Sequence, residues 1–360
     1  MIRSQLHKRG WTQSDLAKII ARPLPSINEI IVGKRGIMPE MAMALGTAFG
    51  NGAQFWMRLE ADYRLALVPH DTSDIERRLR LHDLVPIREI QKRGWIKESQ
   101  APEIIESEVC RFLGIADITQ EPSLHVDTRK SSGTTSLTSS QRAWCFRAAH
   151  LARAVRVSEY SDQKLTECAR RLRQLAAFPE EGRNVTKILA AHGIRFVIVE
   201  PLAGTRIDGA AFWLDDASPV IAISLRFDRI DSFWFTLGHE LAHIRNHDAA
   251  LLIDVDLVGE HQSVPLTKED IERRADQESA EMLIPPEQLD SFILRIRPMY
   301  SKTKIIQFAN RIKMHPGIIV GQLQHRGEIG FSANREMLIK IREQVTSAAI
   351  TDGWGRTLSV

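Results

Sequence analysis

Three residues inside one short stretch could do metal chemistry. Residues 233–243 read FWFTLGHELAH and hold His239, Glu240 and His243 in the spacing H-E-x-x-H. Positions four apart share a helix face, so the two imidazoles can meet one metal ion. A zinc ion at such a pair brings the pKa of water to about 7, within reach of a carboxylate base. Glu240, next to the first histidine, is that carboxylate. The layout is that of zinc-dependent peptide hydrolysis. The apolar run 230–237 leading into it suits a buried helix.

A zinc site of this kind needs a third protein ligand. Residues 272–285, ERRADQESAEMLIP, read as a helix with Ala275, Ala280 and Leu283 inward and Pro285 past its end. Glu272 completes a His, His, Glu set. Asp276, four residues on, can brace the outer nitrogen of a ligand histidine. His247, four residues after His243, is a rival ligand, but the longer motif H-E-x-x-H-x-x-G-x-x-H needs glycine where Asn246 stands. His261 and His315 have no ligand spacing.

These side chains need a scaffold. Helices are predicted over 143–157, 163–178 and 185–192, the last ended by Gly193. Runs rich in Val, Ile, Phe and Trp at 195–200, 209–214 and 220–225 read as strands. Helices, a small sheet, then the histidine-bearing helix give an α+β order. Residues 301–325 read as two short amphipathic helices that pack, and 335–349 as a terminal helix.

The motif pair resembles the ImmA/IrrE family of metallopeptidases. The matching residues are His239-Glu240-Leu241-Ala242-His243, then Glu272-Arg273-Arg274-Ala275-Asp276, then Leu283-Ile284-Pro285. The resemblance covers roughly 185–325. It implies a gluzincin-like fold and cleavage of a protein substrate, often a Cro/C1-type repressor.

The first 58 residues carry eight basic against three acidic side chains, an excess of +5 where the whole chain nets +3. That balance suits a polyanionic partner. Thr12 is an N-cap for a helix from Gln13 with Leu16, Ala17 and Ile20 inward. Ala21 to Leu24 is a break. Pro25 starts a second helix with Ile27, Ile30 and Ile31, and Gly33 ends it. Two short helices about a tight turn make a helix-turn-helix.

W-T-Q-x-x-L-A, I-N-x-I-I-x-G-K-R, P-x-x-A-x-x-L-G and F-W, over residues 10–67, resemble the Cro/C1-type (XRE) helix-turn-helix, closest to its HigA-like antitoxin branch. The resemblance implies binding to double-stranded operator DNA as a homodimer, with a toxin as a further partner. By position, Leu24, Pro25, Ser26, Asn28 and Glu29 face bases, and Gln13, Lys34 and Arg35 contact phosphates. Ala21 stands where that family has glycine.

The fold class expected is mainly α with an α+β C-terminal part. The expected division is a helix-turn-helix bundle at 1–67, a helical connector at 68–127, a Ser/Thr/Gly-rich linker at 128–141, a gluzincin-like peptidase domain at 142–330 and a tail at 331–360. Hydrophobic content of 43% and charged content of 26% fit a globular protein. No apolar run approaches the roughly 20 residues of a membrane span. With no signal-peptide pattern, a cytoplasmic location is expected. Cys110, Cys145 and Cys168 form no C-x-x-C pair and read as free thiols.

The expected function is a DNA-binding regulator with a zinc endopeptidase that cuts itself or a neighbouring repressor or toxin. The alternative is an antitoxin or repressor whose peptidase-like domain is a non-catalytic sensor or scaffold.

Overall fold

A computed structural model describes residues 1–68, 72–124, 137–248, 252–255 and 270–354. The chain is mainly α with an α+β part, and divides into two compact units, 1–74 and 75–360.

The first unit holds α1 (Ile2–Arg9), α2 (Gln13–Ile19), α3 (Leu24–Ile31), α4 (Pro39–Phe49) and α5 (Ala53–Leu67). Thr12 and Asp15 form a reciprocal capping box that starts α2. Leu16, Ile27, Leu45, Phe49 and Trp56 close the core. Gly46 allows α4 and α5 to approach, since a Cβ there would meet the backbone of Gly52 and Ala53.

Helix α6 (Ser73–Leu84) starts at the boundary and lies almost wholly in the second unit, which continues with α7 (Ile87–Lys92), α8 (Pro102–Leu113) and α9 (Ser139–Ala154). Then come α10 (Leu165–Leu175), α11 (Val185–Ala191), β1 (Arg195–Ile198), β2 (Ile207–Trp213) and β3 (Pro219–Ile223). They are followed by α12 (Ile230–Arg245), β4 (Leu252–Val255), α13 (Asp270–Leu283), α14 (Pro286–Ile296), α15 (Lys302–Ile312) and α16 (Pro316–His325). The described residues end with α17 (Arg342–Thr346) and β5 (Ile350–Thr351).

The sheet runs β4-β2-β3-β1-β5, with β1 parallel to β3 and β5, and β2 antiparallel to β3 and β4. Strand alternation sorts its side chains. Phe196, Ile198, Ala211, Ile221 and Ile223 face one core with α10 and α12–α16. Val197, Val199, Phe212, Val220 and Ala222 face the other, with α6–α9.

Three expectations about organisation are corrected here. The helices expected as a connector are one face of the sheet's covering: Leu81, Leu84, Ile90, Val109 and Phe112 are buried with Trp144 and the strands. The expected linker and the peptidase domain's start at 142 change at one boundary. Residues 125–136 lie outside the described residues, but Ser139 onward is α9, because Thr138 and Gln141 form a capping box. The tail is not a terminal helix. Residues 335–337 make one 3-10 turn, α17 is short, and β5 joins the edge of β1. Met337, Ile341 and Val345 are core residues. The Ile230 N–H donates to the Ile339 carbonyl, and Asp228 accepts from the amides of Ile341 and Arg342. This segment therefore anchors the start of α12.

Among the described residues no helix is long and apolar enough to cross a membrane.

Candidate metal centre

Helix α12 is buried nearly throughout, and Phe233, Trp234, Leu237, Leu241 and Ile244 pack it into the sheet-side core. His239 and His243 lie one turn apart and are almost wholly buried. Their Nε2 atoms are 2.9 Å apart.

Helix α13 crosses α12 closely. Ser279 donates to the Phe235 carbonyl at 2.6 Å, and a Cβ on Gly238 would lie 2.6 Å from that hydroxyl. Small residues at the crossing bring the axes together. Glu272, near the start of α13, is thereby carried to the histidines. Its Oε2 is 3.3 Å from His239 Nε2 and 3.9 Å from His243 Nε2. Among the described residues, these three supply ligand atoms all within 4.8 Å of one another.

Each histidine is braced from behind. Asp276 Oδ1 is 3.0 Å from His239 Nδ1, and Asp248 Oδ2 is 2.8 Å from His243 Nδ1. Arg274 donates to the other Asp248 oxygen at 2.7 Å. A carboxylate beside each Nδ1 favours the tautomer that carries its proton there and turns the Nε2 lone pair toward the other ring. Two such lone pairs at 2.9 Å repel unless a cation lies between them. Tetrahedral zinc would set the nitrogens about 3.3 Å apart, so a small adjustment admits the ion. Two imidazoles and one carboxylate, each His with a bracing acid, fit zinc.

Glu240 is fully buried and points at β2. A Cβ on Gly209 would collide with Glu240 Oε1 and crowd Thr236. Glycine at that strand position makes the space the carboxylate occupies. Gly209 pairs with Ile223 on one side and Asp254 on the other, beside a register shift in the β2–β4 ladder.

His247 is turned away. Its Nε2 lies 2.8 Å from Asp162 and its ring stacks on Trp213. His315 accepts from the Gly317 amide as the cap of α16. His261 lies outside the described residues. All three cysteines are buried and free; burial pushes the Cys168 thiol up to about 12.

In the first unit, Leu24, Pro25, Asn28 and Glu29 are exposed on α3, with Ser26 half-buried. Lys34 and Arg35 follow, exposed, and Gln13 opens α2 half-buried. Arg35 donates to Ser26 at 3.3 Å and pairs with Glu29 at 3.5 Å. Ala21 adopts φ 49°, the left-handed conformation glycine favours.

Asp248, Gly209, Gly238 and Ser279 were not singled out by motif spacing. Asp248 lies five residues past His243, beyond a left-handed His247 at φ 48° that turns the chain back. The others act through an absent or small side chain, which periodicity does not register.

Comparison with known proteins places this site in context. A stretch of 75 residues, 21% of the chain, is 38% identical to Virulence-associated protein A' of Dichelobacter nodosus. A stretch of 67 residues, 18% of the chain, is 37% identical to Virulence-associated protein A of that organism. The chain spans 65% and 66% of the length of those relatives, just under two thirds. Residues 190–326 match the family model Peptidase M78, the IrrE N-terminal-like domain, so His239, Glu240, His243, Glu272 and Asp276 all lie in a metallopeptidase-like stretch of ImmA/IrrE type.

Proposed function

We propose that this chain is a DNA-binding regulator carrying a zinc-dependent endopeptidase of the gluzincin kind, which hydrolyses a peptide bond in a regulatory protein. The observation that carries the peptidase half is the convergence of His239, His243 and Glu272, with the two histidines braced by Asp276 and Asp248. These three residues would hold the zinc. When bound, zinc would polarise the peptide carbonyl and acidify water at the site.

The chain's own residues do the rest. Glu240 takes a proton from the attacking water onto a carboxylate oxygen and delivers it to the amide nitrogen as the C–N bond breaks. The surrounding apolar core excludes bulk water from that carboxylate, which strengthens its interaction with the developing charge. Asp276 and Asp248 keep both ligand rings in the tautomer that presents Nε2. The substrate is the chain itself or a repressor or toxin encoded beside it.

The amino-terminal reading rests on the basic balance of residues 1–58 and on the exposed α3 surface. In it Leu24, Pro25, Ser26, Asn28 and Glu29 read bases, and Gln13, Lys34 and Arg35 hold phosphates of a double-stranded operator. A homodimer supplies two such helices, one per half-site.

Two measurements test the proposal. Elemental analysis should find one zinc per chain in the wild type and little in His243→Ala or Glu272→Ala; full zinc in both variants would sink the metal assignment. Mobility shifts should show duplex binding that weakens steeply with salt. Lys34→Ala with Arg35→Ala should weaken it for all sequences, and Asn28→Ala should change the preferred sequence. Binding equal to wild type by the double variant at every salt concentration would contradict the assignment of that face.

A further inference from the structure

A recess lies along α12 one to two turns before the metal ligands, walled by α12, α13, α16 and the segment after it. It is open on one side, and the space between its walls, with the open part included, is about 690 Å³. Phe235, Ala280, Leu283, Ile318 and Phe331 make its apolar walls. Phe235 is the link to the site: its ring centroid is 6.3 Å from that of His239 and 5.9 Å from that of His325. An occupant of the recess therefore sits one aromatic ring away from a metal ligand.

Most polar side chains on the walls already have protein partners. Arg229 pairs with Asp231 at 2.6 Å. Gln322 donates to the Ala280 carbonyl, and Gln324 to the carbonyls of Phe331 and Ala333. Arg326 pairs with Asp290. These pairings leave little net charge to attract an ionised ligand. Ser232, 4% exposed, differs: its hydroxyl is buried and has no hydrogen-bond partner among the described residues. A buried hydroxyl without a partner costs free energy that a ligand's polar atom can recover.

We infer that this recess is a specificity pocket for an aromatic side chain of the peptide held at the metal centre, with tyrosine preferred over phenylalanine because its hydroxyl meets Ser232. The inference rests on the peptidase reading for its occupant, and on the recess alone for its chemistry. The carbon walls take the ring. The paired charges reject lysine, arginine and acidic side chains, which would lose hydration without gaining a partner.

The test uses the full chain and separates these two dependences. Ligand-observed NMR measures binding of the N-acetyl amides of glycine, leucine, phenylalanine, tyrosine and arginine. Tyrosine should bind best, then phenylalanine and leucine, with glycine and arginine weakest. Ala280→Trp fills the recess and should weaken the tyrosine amide by about tenfold or more, the worth of burying one aromatic side chain. Ser232→Ala should cost tyrosine about fivefold, one hydrogen bond, and leave phenylalanine unchanged. Phe331→Ala removes a wall residue that is 38% exposed, and should weaken both aromatic amides if Ala280→Trp fails to fold. Equal binding of the glycine and tyrosine amides, or tyrosine binding undiminished in Ala280→Trp and Phe331→Ala alike, overturns the pocket.

A second arm digests position-scanned peptides with the zinc-loaded protein. An aromatic preference beside the scissile bond should appear in the wild type and vanish in Ala280→Trp; a preference that survives overturns the pocket's role. If no peptide is cut while the amide ranking holds, the peptidase reading fails and the aromatic specificity of the recess stands.

Discussion

Glu240 and Asp248 stand at different removes from the chemistry, and replacing them separates base from brace. Glu240→Gln keeps the shape and removes the proton acceptor, so zinc should stay while cleavage falls by about 10²- to 10⁴-fold. Gly209→Ala should act the same way from the opposite side, because the added methyl takes the space of Glu240 Oε1. Asp248→Ala and Asp276→Ala should instead weaken zinc by about 10- to 100-fold, and added zinc should restore much of the activity. Zinc content and cleavage rate measured together decide it; a Glu240→Gln protein that cuts at the wild-type rate contradicts the role assigned to that carboxylate. The candidate ligands are readable in the sequence because helical periodicity alone puts His239 and His243 on one face. Asp248 is unreadable by that rule: it reaches His243 through a left-handed residue that ends the helix, and nothing in the type of His247 announces that conformation.

At the level of elements, local rules succeeded where the signal was local. The capping boxes at Thr12 and Thr138 are contacts between residues three apart, and each starts a helix where the chain has little else to do so. The break between α2 and α3 is another local feature, and it carries strain. Ala21 at φ 49° holds a conformation that costs a side-chain-bearing residue about 1 kcal/mol or more. Ala21→Gly should therefore stabilise the first unit by about 1 kcal/mol, seen as a higher denaturant midpoint for its unfolding. An unchanged or lowered midpoint would show that the turn relaxes around the methyl. Where the partner is distant, the local rules fell short. The helical periodicity of α6–α8 announces an apolar face but not the surface it covers. That surface is a sheet built from residues more than eighty positions later, joined through Trp144, whose indole donates to the Val199 carbonyl. Residues 335–351 differ from the expected terminal helix for a related reason, since a 3-10 turn, a five-residue helix and a two-residue strand are each too short to show a period.

For the whole molecule, the unit that holds the candidate metal centre is larger than the stretch that matches the peptidase family model. The family match stops at residue 326, but the sheet and the start of α12 depend on residues beyond it. Met337, Ile341 and Val345 each bury apolar surface worth about 1.5–3 kcal/mol. Their sum is comparable with the roughly 5–15 kcal/mol that separates a folded domain from its unfolded chain. A chain cut after residue 326 should lose cooperative unfolding of the second unit while the first unit keeps its helical signal. Intact cooperative melting of both would contradict the anchoring role of the last elements.

The late position of β5 has a consequence in time. A polypeptide is made from its amino end, and a unit folds once its contacts are available. The unit at 1–74 has all of its internal contacts available once residue 74 has emerged. The histidine-bearing helix emerges about a hundred residues before Ile339 and Asp352, the residues whose backbone fastens its start and the sheet's edge. The half-made chain on the ribosome can thus hold a finished helical unit joined to an unfinished second unit, and the sheet that backs the candidate metal centre gains β5 only when residues 350–351 have been added.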